Sequence, residues 1–252
     1  MRAETSTGHG SAVVRRVLEA ELRDARARSG DRPRVVDVGG GSGVWAVPFA
    51  SEGCLVTVVE PNPNALATLE RRAKEEGVSG RITVVADDAD ALGEHVAPGS
   101  ADLVLAHGLL EIVDDPAAAA AALARAVAPG GAVSVLVANR HAAALHRALA
   151  GRLGEAHRLL TGAHGVLTED GETLLRRFDT PGLEALLSAA GLEIALLQGD
   201  GVVADALHGT ALGTDASGSG EQDLADFEAA AAAVPPLRDV ASRLHALARL
   251  RR

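Results

Sequence analysis

Short apolar runs alternate along this chain with longer segments of helical periodicity. Residues Ala12 to Arg28 place Val13, Val14, Val17, Leu18 and Leu22 at helical spacing with charges between them, and Ser29-Gly30 closes the segment. Five apolar runs then fit buried parallel strands: Arg34 to Val38, Leu55 to Glu60, Ile82 to Ala86, Leu103 to Ala106 and Ala132 to Ala138. Helical segments lie between them, at Trp45 to Ser51, Asn64 to Glu76, a short piece around Leu92 to Val96, and Pro116 to Val127. Strand alternating with helix predicts an α/β fold with a mostly parallel sheet and right-handed crossovers. A chain of 252 residues fits one such domain, spanning 1–252 with residues 1–30 as a leading helical segment.

Beyond Ala138 the pattern changes. Residues 139–177 hold six arginines and four histidines against four acids and show only weak helical periodicity, which marks them as a candidate substrate lid inserted after the fifth strand. Asp179-Thr180-Pro181 then starts a helix that Gly191 ends, followed by the strand-like Leu192 to Leu197. Gly213 to Gln222 is the most linker-like stretch, and Ser242 to Arg249 fits helix or strand equally well by pattern.

Composition narrows the function. Lys+Arg 24 against Asp+Glu 34 gives a net charge of −10, which opposes broad non-specific attraction to nucleic acid while allowing a local basic face. No apolar run reaches the roughly 20 residues that span a bilayer, Met1 to Ser11 lacks an apolar signal core, and Cys54 stands alone. A cytoplasmic protein is expected. His9, His95, His208 and His245 show no metal-ligand spacing, so no metal is expected either.

The chemistry gathers at the ends of the expected strands, where open α/β sheets bind ligands. Asp37-Val38-Gly39-Gly40-Gly41-Ser42-Gly43 follows the first strand and precedes a helix, so its glycines let the backbone turn and approach a ligand closely. Val44 stands where a dinucleotide fingerprint wants its third glycine, and the acid at Asp37 would repel a pyrophosphate but suits the ammonium of an amino-acid-bearing cofactor. Glu60, 17 residues beyond Gly43, has the chemistry to accept two ribose hydroxyls, or is an exposed strand-end acid. Asp88, ahead of Ala89, either accepts an adenine amino group or caps a helix. His107 follows the fourth strand and contacts cofactor or substrate, or simply closes the pocket; Glu111 reads equally as a helix-start acid.

In order, Asp37 to Gly43, Glu60, Asp88-Ala89, Ala101 to Leu105 with His107 to Val113, and Pro129-Gly130-Gly131 resemble motifs I to V of class I S-adenosylmethionine-dependent methyltransferases. The stretch His107-Gly-Leu-Leu-Glu-Ile-Val113, followed by Asp115-Pro116 and Asn139-Arg140-His141, is most similar to the bacterial tRNA 5-carboxymethoxyuridine methyltransferases. The resemblance covers about residues 10 to 250. It implies a Rossmann-like, seven-stranded, mostly parallel sheet of order 3-2-1-4-5-7-6 with helices on both faces, whose antiparallel last strand is Ser242 to Arg249. It also implies binding of S-adenosyl-L-methionine and its product S-adenosyl-L-homocysteine by Asp37, Gly39, Gly41, Gly43, Glu60, Pro61, Asp88, Ala89 and His107.

The acceptor that the resemblance implies is a modified tRNA uridine carboxylate. A small-molecule methyltransferase and a non-catalytic binder of the cofactor are the alternatives. A carboxylate is ionised at neutral pH, and Arg140 and Arg147 have the donors to orient it. The pocket is expected between the segment before Val13, His107 and the 139–177 insertion.

Overall fold

The computed structural model describes residues 12–167, 176–204 and 220–251. Seven strands form one sheet: β1 (Arg34–Val38), β2 (Leu55–Val59), β3 (Ile82–Val85), β4 (Ala101–His107), β5 (Val127–Ala138), β6 (Leu192–Asp200) and β7 (Arg243–Leu250). Their order is β3-β2-β1-β4-β5-β7-β6. β1 to β5 pair in parallel, and β7 runs antiparallel to both β5 and β6. The segment 242–249, ambiguous by pattern, is therefore a strand, and it is apolar on both faces because neighbours cover both.

Helices cover the two faces, which is why the central strands read as unbroken apolar runs rather than alternating ones. On one face α1 (Ala12–Ser29), α2 (Ala46–Ser51) and α3 (Pro63–Glu75) pack with Val35, Leu103, Leu105 and Leu247. Leu18 and Leu22 of α1 are fully buried there, each contributing about 1.5–3 kcal/mol of transfer free energy. On the other face α4 (Leu92–His95), α5 (Pro116–Ala126) and α8 (Thr180–Ala189) pack with Val36, Val104, Val133 and Ala246. Asn62, Asp115 and Asp179 cap α3, α5 and α8 by accepting backbone N–H bonds, each just ahead of an early proline whose missing N–H the first turn tolerates.

Several boundaries differ from those the pattern suggests. β4 gains two residues at its start and His107 at its end. β5 begins at Val127 rather than Ala132, with a register irregularity between Ala101 and Leu103 opposite Pro129-Gly130-Gly131. A Cβ at Gly131 would lie 2.7 Å from the Asp102 carbonyl oxygen, so only glycine allows this approach. β6 runs on to Asp200 because Gln198 and Asp200 pair with His245 and Arg243.

The 139–177 insertion contains α6 (Arg140–Leu149) and α7 (Leu153–Thr161). Two helices were not expected, α9 (Gly220–Ala231) and α10 (Pro235–Arg238). Most of the linker-like stretch 213–222 lies outside the described residues, but its end, Gly220 to Gln222, opens α9. The alanine run of α9 carries no periodic contrast to reveal it. Its Glu228 accepts the N–H groups of Val202, Val203 and Ala204, each at 2.8 Å, and so ties the chain after β6.

Candidate functional site

The parallel pairing of β1 with β2 sets Asp37 and Glu60 side by side at the carboxyl edge of the sheet. Between them runs the glycine loop, in which Gly39, Gly41 and Gly43 all have positive φ. At Gly43 (φ +76°) a Cβ would also lie 2.9 Å from Leu69 Cγ, so α3 packs against the loop only because glycine is there. Gly40 likewise leaves room for a carboxylate, since a Cβ would stand 2.7 Å from Asp37 Oδ2.

Asp37 is 2% exposed, and its Oδ2 has no hydrogen-bond partner among the described residues. Burial first, and the Glu60 charge second, push its carboxyl up to about 7. A buried acid without a cationic partner holds its proton at a cost that a ligand ammonium would remove. Glu60 is already engaged: Gly41 N–H donates to Oε2 at 3.0 Å and Asn62 N–H donates to Oε1 at 2.8 Å. It thereby shapes the glycine loop, and each oxygen keeps a lone pair for a ligand hydroxyl. Pro61 follows on the exposed side.

At the end of β3 the two neighbouring acids divide the work. Asp87 accepts the Asp88 N–H at 2.9 Å and pairs with His95 at 2.7 Å, and the His95 hydrogen bond holds it below the usual carboxylate range. Asp88 is exposed and precedes a 3₁₀ turn, Ala89–Ala91, without capping it. Ala89 packs against the core below.

His107 ends β4 beside Trp45, edge to face at 5.3 Å between ring centroids. Its Nε2 is 2.8 Å from Ser134 Oγ, and its Nδ1 is buried without a partner among the described residues. Burial, reinforced by His245 and Arg243, holds the imidazole well below its ordinary value, so it is neutral at pH 7. Arg15 of α1 lies over Trp45, with its guanidinium carbon 5.5 Å from the ring centroid.

Glu111, read from sequence as a possible helix-start acid, sits instead in the turn after β4, before α5 begins. It is 4% exposed, its Oε1 accepts the Ala138 N–H at 2.8 Å, and its Oε2 has no partner among the described residues. Burial raises it to about 7. Its sequence signal was its place between Leu110 and Ile112, where a charge interrupts an apolar run. Ser134 and Gln198, also absent from the sequence-based site, gave no signal beyond being polar residues inside apolar strands.

The two candidate substrate arginines are bound into the insertion. Arg140 donates to the carbonyls of Leu159, Leu160 and Gly162 at 2.6, 2.5 and 2.7 Å and lies 3.8 Å from Asp179. Arg147 pairs with Glu155 at 3.2 Å, outside good hydrogen-bond geometry, and donates to the Ala143 carbonyl. Arg140 nevertheless borders a cavity of about 450 Å³ shared with Asp114, His164, Arg176, Phe178 and Leu186. Arg176 there donates to the carbonyls of Leu110, Val113 and Asp114, fastening the insertion to the turn that holds Glu111. No hydrogen bond joins His107 to either arginine, and the expected wall before Val13 lies almost wholly outside the described residues. Among those residues no His, Cys, Asp and Glu group is placed to hold a metal ion, and no helix is long and apolar enough to cross a membrane.

A methyltransferase-domain family model matches residues 12–197. Among curated relatives, the tRNA 5-carboxymethoxyuridine methyltransferase of Escherichia coli K12 is 30% identical over 118 residues, 47% of this chain and 45% of that protein. The ubiquinone biosynthesis O-methyltransferase of Burkholderia thailandensis is 33% identical over 167 residues, 66% of this chain and 67% of that protein. The chain thus spans about half the length of the first relative and two thirds of the second. A methyltransferase structure from Methanosarcina mazei superposes with a TM-score of 0.60 at 18% identity, covering 88% of this chain and 94% of that one. The 1,6-didemethyltoxoflavin-N1-methyltransferase of Burkholderia thailandensis, solved with S-adenosylhomocysteine, gives 0.56 at 18% identity, covering 96% and 80%. These two likenesses show the fold. With the family match running over most of the sequence, the chain belongs to the methyltransferase-domain family of class I S-adenosylmethionine methyltransferases.

Proposed function

We propose that this enzyme methylates an oxygen of a small anionic acceptor, with a carboxylate as the best-fitting group. In this reading Asp37 takes the cofactor ammonium, the backbone of Gly39 to Gly43 lies along its amino-acid part, Glu60 takes the ribose hydroxyls, and Asp88 with Ala89 borders the adenine. The orphaned, buried Oδ2 of Asp37 supports the assignment, because an ammonium is the group it lacks. S-adenosylmethionine supplies a methyl carbon activated by a sulfonium leaving group, so the chain's own residues need only align the acceptor and exclude water.

The observation offered for the acceptor class is the cavity between the insertion, the turn after β4 and α8, which Asp37, Glu60 and His107 do not line. Its size of about 450 Å³ falls within the range of small-molecule sites, and Arg140, Arg176 and Arg177 outnumber Asp114 and Asp179 in its wall. A carboxylate oxygen attacks the methyl carbon with its own lone pair as the carbon–sulfur bond breaks, giving an ester and S-adenosylhomocysteine with no general base. The larger shared length with the ubiquinone-pathway O-methyltransferase also favours an oxygen on a small molecule.

A carboxylate on a modified tRNA uridine is the second reading. It rests on the similarity to the E. coli tRNA enzyme and uses the same chemistry. A cytoplasmic setting goes with both and is supported by Cys54, a buried free thiol. Mass spectrometry of metabolites and tRNA nucleosides, from cells with and without the gene, separates the two. A gene-dependent methyl ester on a metabolite supports the first, one on a tRNA nucleoside the second, and a methylated nitrogen or carbon overturns both.

A further inference from the structure

Four polar side chains cross the apolar face of the sheet in one hydrogen-bonded line. His107 Nε2 lies 2.8 Å from Ser134 Oγ, Ser134 Oγ lies 2.9 Å from His245 Nε2, and His245 Nδ1 lies 2.9 Å from Gln198 Nε2. The line runs across β4, β5, β7 and β6 between rows of Leu103, Leu105, Ala132 and Leu247. Ser134 and His245 are completely buried and Gln198 is 6% exposed. The same face carries Trp45 with Arg15 above it and the Arg243–Asp200 ion pair, 2.7 Å between Nε and Oδ2, and none of these closes the line.

Such a line is an expensive way to fill a core. Apolar residues would pack here without polar groups to satisfy, whereas each buried donor or acceptor left unpaired costs about 1–3 kcal/mol. The side-chain bonds of Ser134 and His245 all lie within the line, and it ends on His107 Nδ1, which has no partner among the described residues. The line therefore does not close on itself; it delivers something to the carboxyl end of β4.

Proton counting says what is delivered. Gln198 Nε2–H donates to His245 Nδ1. A neutral imidazole carries one N–H, so His245 donates from Nε2 to Ser134 Oγ. Ser134 has one hydrogen and donates it to His107 Nε2, which leaves the His107 proton on Nδ1. We infer that Gln198, His245 and Ser134 are positioning residues that lock His107 as its Nδ1–H tautomer, presenting a hydrogen-bond donor to an oxygen of the bound ligand. This rests on the reading of the site as a methyl-transfer pocket. The oxygen belongs either to the carboxylate of the cofactor or to the acceptor. A donor in that place anchors an oxygen without taking a proton from it, which suits an acceptor that needs no base.

The test begins with the full chain labelled with ¹⁵N. Long-range ¹H–¹⁵N correlations at pH 7.5 report the tautomer directly and need no acceptor. The expected pattern at His107 is a protonated Nδ1 with a bare Nε2, and loss of that preference in Ser134→Ala. A bare Nδ1, the result if the Gln198 amide points the other way, overturns the inference, as does an imidazolium. Calorimetry with S-adenosylhomocysteine and steady-state kinetics with the identified acceptor then locate the oxygen. Ser134→Ala weakens product affinity about tenfold if the oxygen is the cofactor's, or raises the acceptor KM about tenfold with little change in kcat if it is the acceptor's. Gln198→Leu, two residues further from His107 along the line, gives the same effect in weaker form. If Ser134→Ala folds, loses the tautomer preference and moves neither constant, the donor serves no ligand and the inference fails. The anionic-acceptor reading can fail by mass spectrometry while the tautomer result stands, so the two are distinguishable.

Discussion

Cofactor affinity should titrate with Asp37. Its carboxyl, held up to about 7 by burial and then by Glu60, is largely protonated in the ligand-free protein at acid pH, whereas an ammonium ligand is held best by the ionised form. With a value near 7, the ionised fraction rises from about 3% at pH 5.5 to about one half at pH 7. Affinity for S-adenosylhomocysteine should therefore climb about fifteenfold across that window, or about 1.6 kcal/mol. The ligand ammonium stays mostly protonated throughout, and His107 and His245 stay neutral because burial depresses both, His245 to about 4. Isothermal titration calorimetry at fixed ionic strength measures the slope. Asp37→Asn should flatten it and weaken binding at pH 7 at least tenfold, since a hydrogen bond to a charged group contributes about 1.5–3 kcal/mol. Glu111 is also raised to about 7, so Glu111→Gln serves as the control and should keep the slope. A flat profile in the parent, or a slope that survives Asp37→Asn, would refute the assignment of Asp37 to the ammonium.

The same shift has a stability consequence of opposite sense. The folded chain holds the Asp37 proton more tightly than the unfolded one, so this stability is full below about pH 4 and is lost as pH rises through about 7; ligand-free Asp37→Asn should thus melt higher than the parent at pH 8, with the gap closing toward pH 4. Glu60→Ala should weaken cofactor binding more than tenfold by calorimetry and Asp88→Ala by less, because Glu60 shapes the loop and, in the proposed site, takes the ribose hydroxyls. Gly43→Ala forces a side chain onto positive φ and into Leu69, so denaturant titration should show a loss of about 1–3 kcal/mol. Arg140→Ala should leave cofactor affinity intact while lowering turnover about tenfold and increasing proteolysis within the insertion; Arg147→Ala, whose partner is Glu155, should do less.

The parallel half of the sheet was legible because strands buried on both faces must be apolar throughout, and glycine or proline punctuates their ends. That logic placed β1 at both its bounds, and β2 and β3 to within one residue. It failed at the start of β5, where the Pro129-Gly130-Gly131 run reads as a turn but passes through a sheet irregularity against Asp102. β7 had no sequence signature of its own: Arg243 to Leu250 alternates too weakly to separate strand from helix, and only pairing with β5 and β6 decides it. Asp37 and Glu60, both in the proposed cofactor site, were legible as candidates because each stands at the carboxyl end of a recognisable strand. Ser134, His245 and Gln198 were not, since what joins them is lateral register across the sheet, and the partners of Ser134 and His245 lie 111 residues apart.

Both edges of the sheet bury polar atoms, and those at the carboxyl edge bear on the proposed site. At the amino edge Asp102 is 8% exposed and fully answered: Ser29 Oγ donates to one oxygen at 2.6 Å and the Arg34 N–H to the other at 2.8 Å, joining α1, β1 and β4. Glu21 at the same edge accepts from Arg249 through one oxygen, while its buried Oε2 has no partner among the described residues. At the carboxyl edge Asp37 Oδ2, His107 Nδ1 and Glu111 Oε2 are each buried and each missing one, although every residue concerned sits at or just after a strand end where a local partner could have been built. Native cores rarely leave such atoms unanswered, because each costs about 1–3 kcal/mol. Three in one region, unanswered among the described residues, support the proposal that a bound ligand completes them. Asp37 lacks a donor, His107 Nδ1 as an N–H lacks an acceptor, and Glu111 lacks a donor. A ligand that answers the first two must carry an ammonium and an oxygen, which is what an amino-acid-bearing cofactor offers.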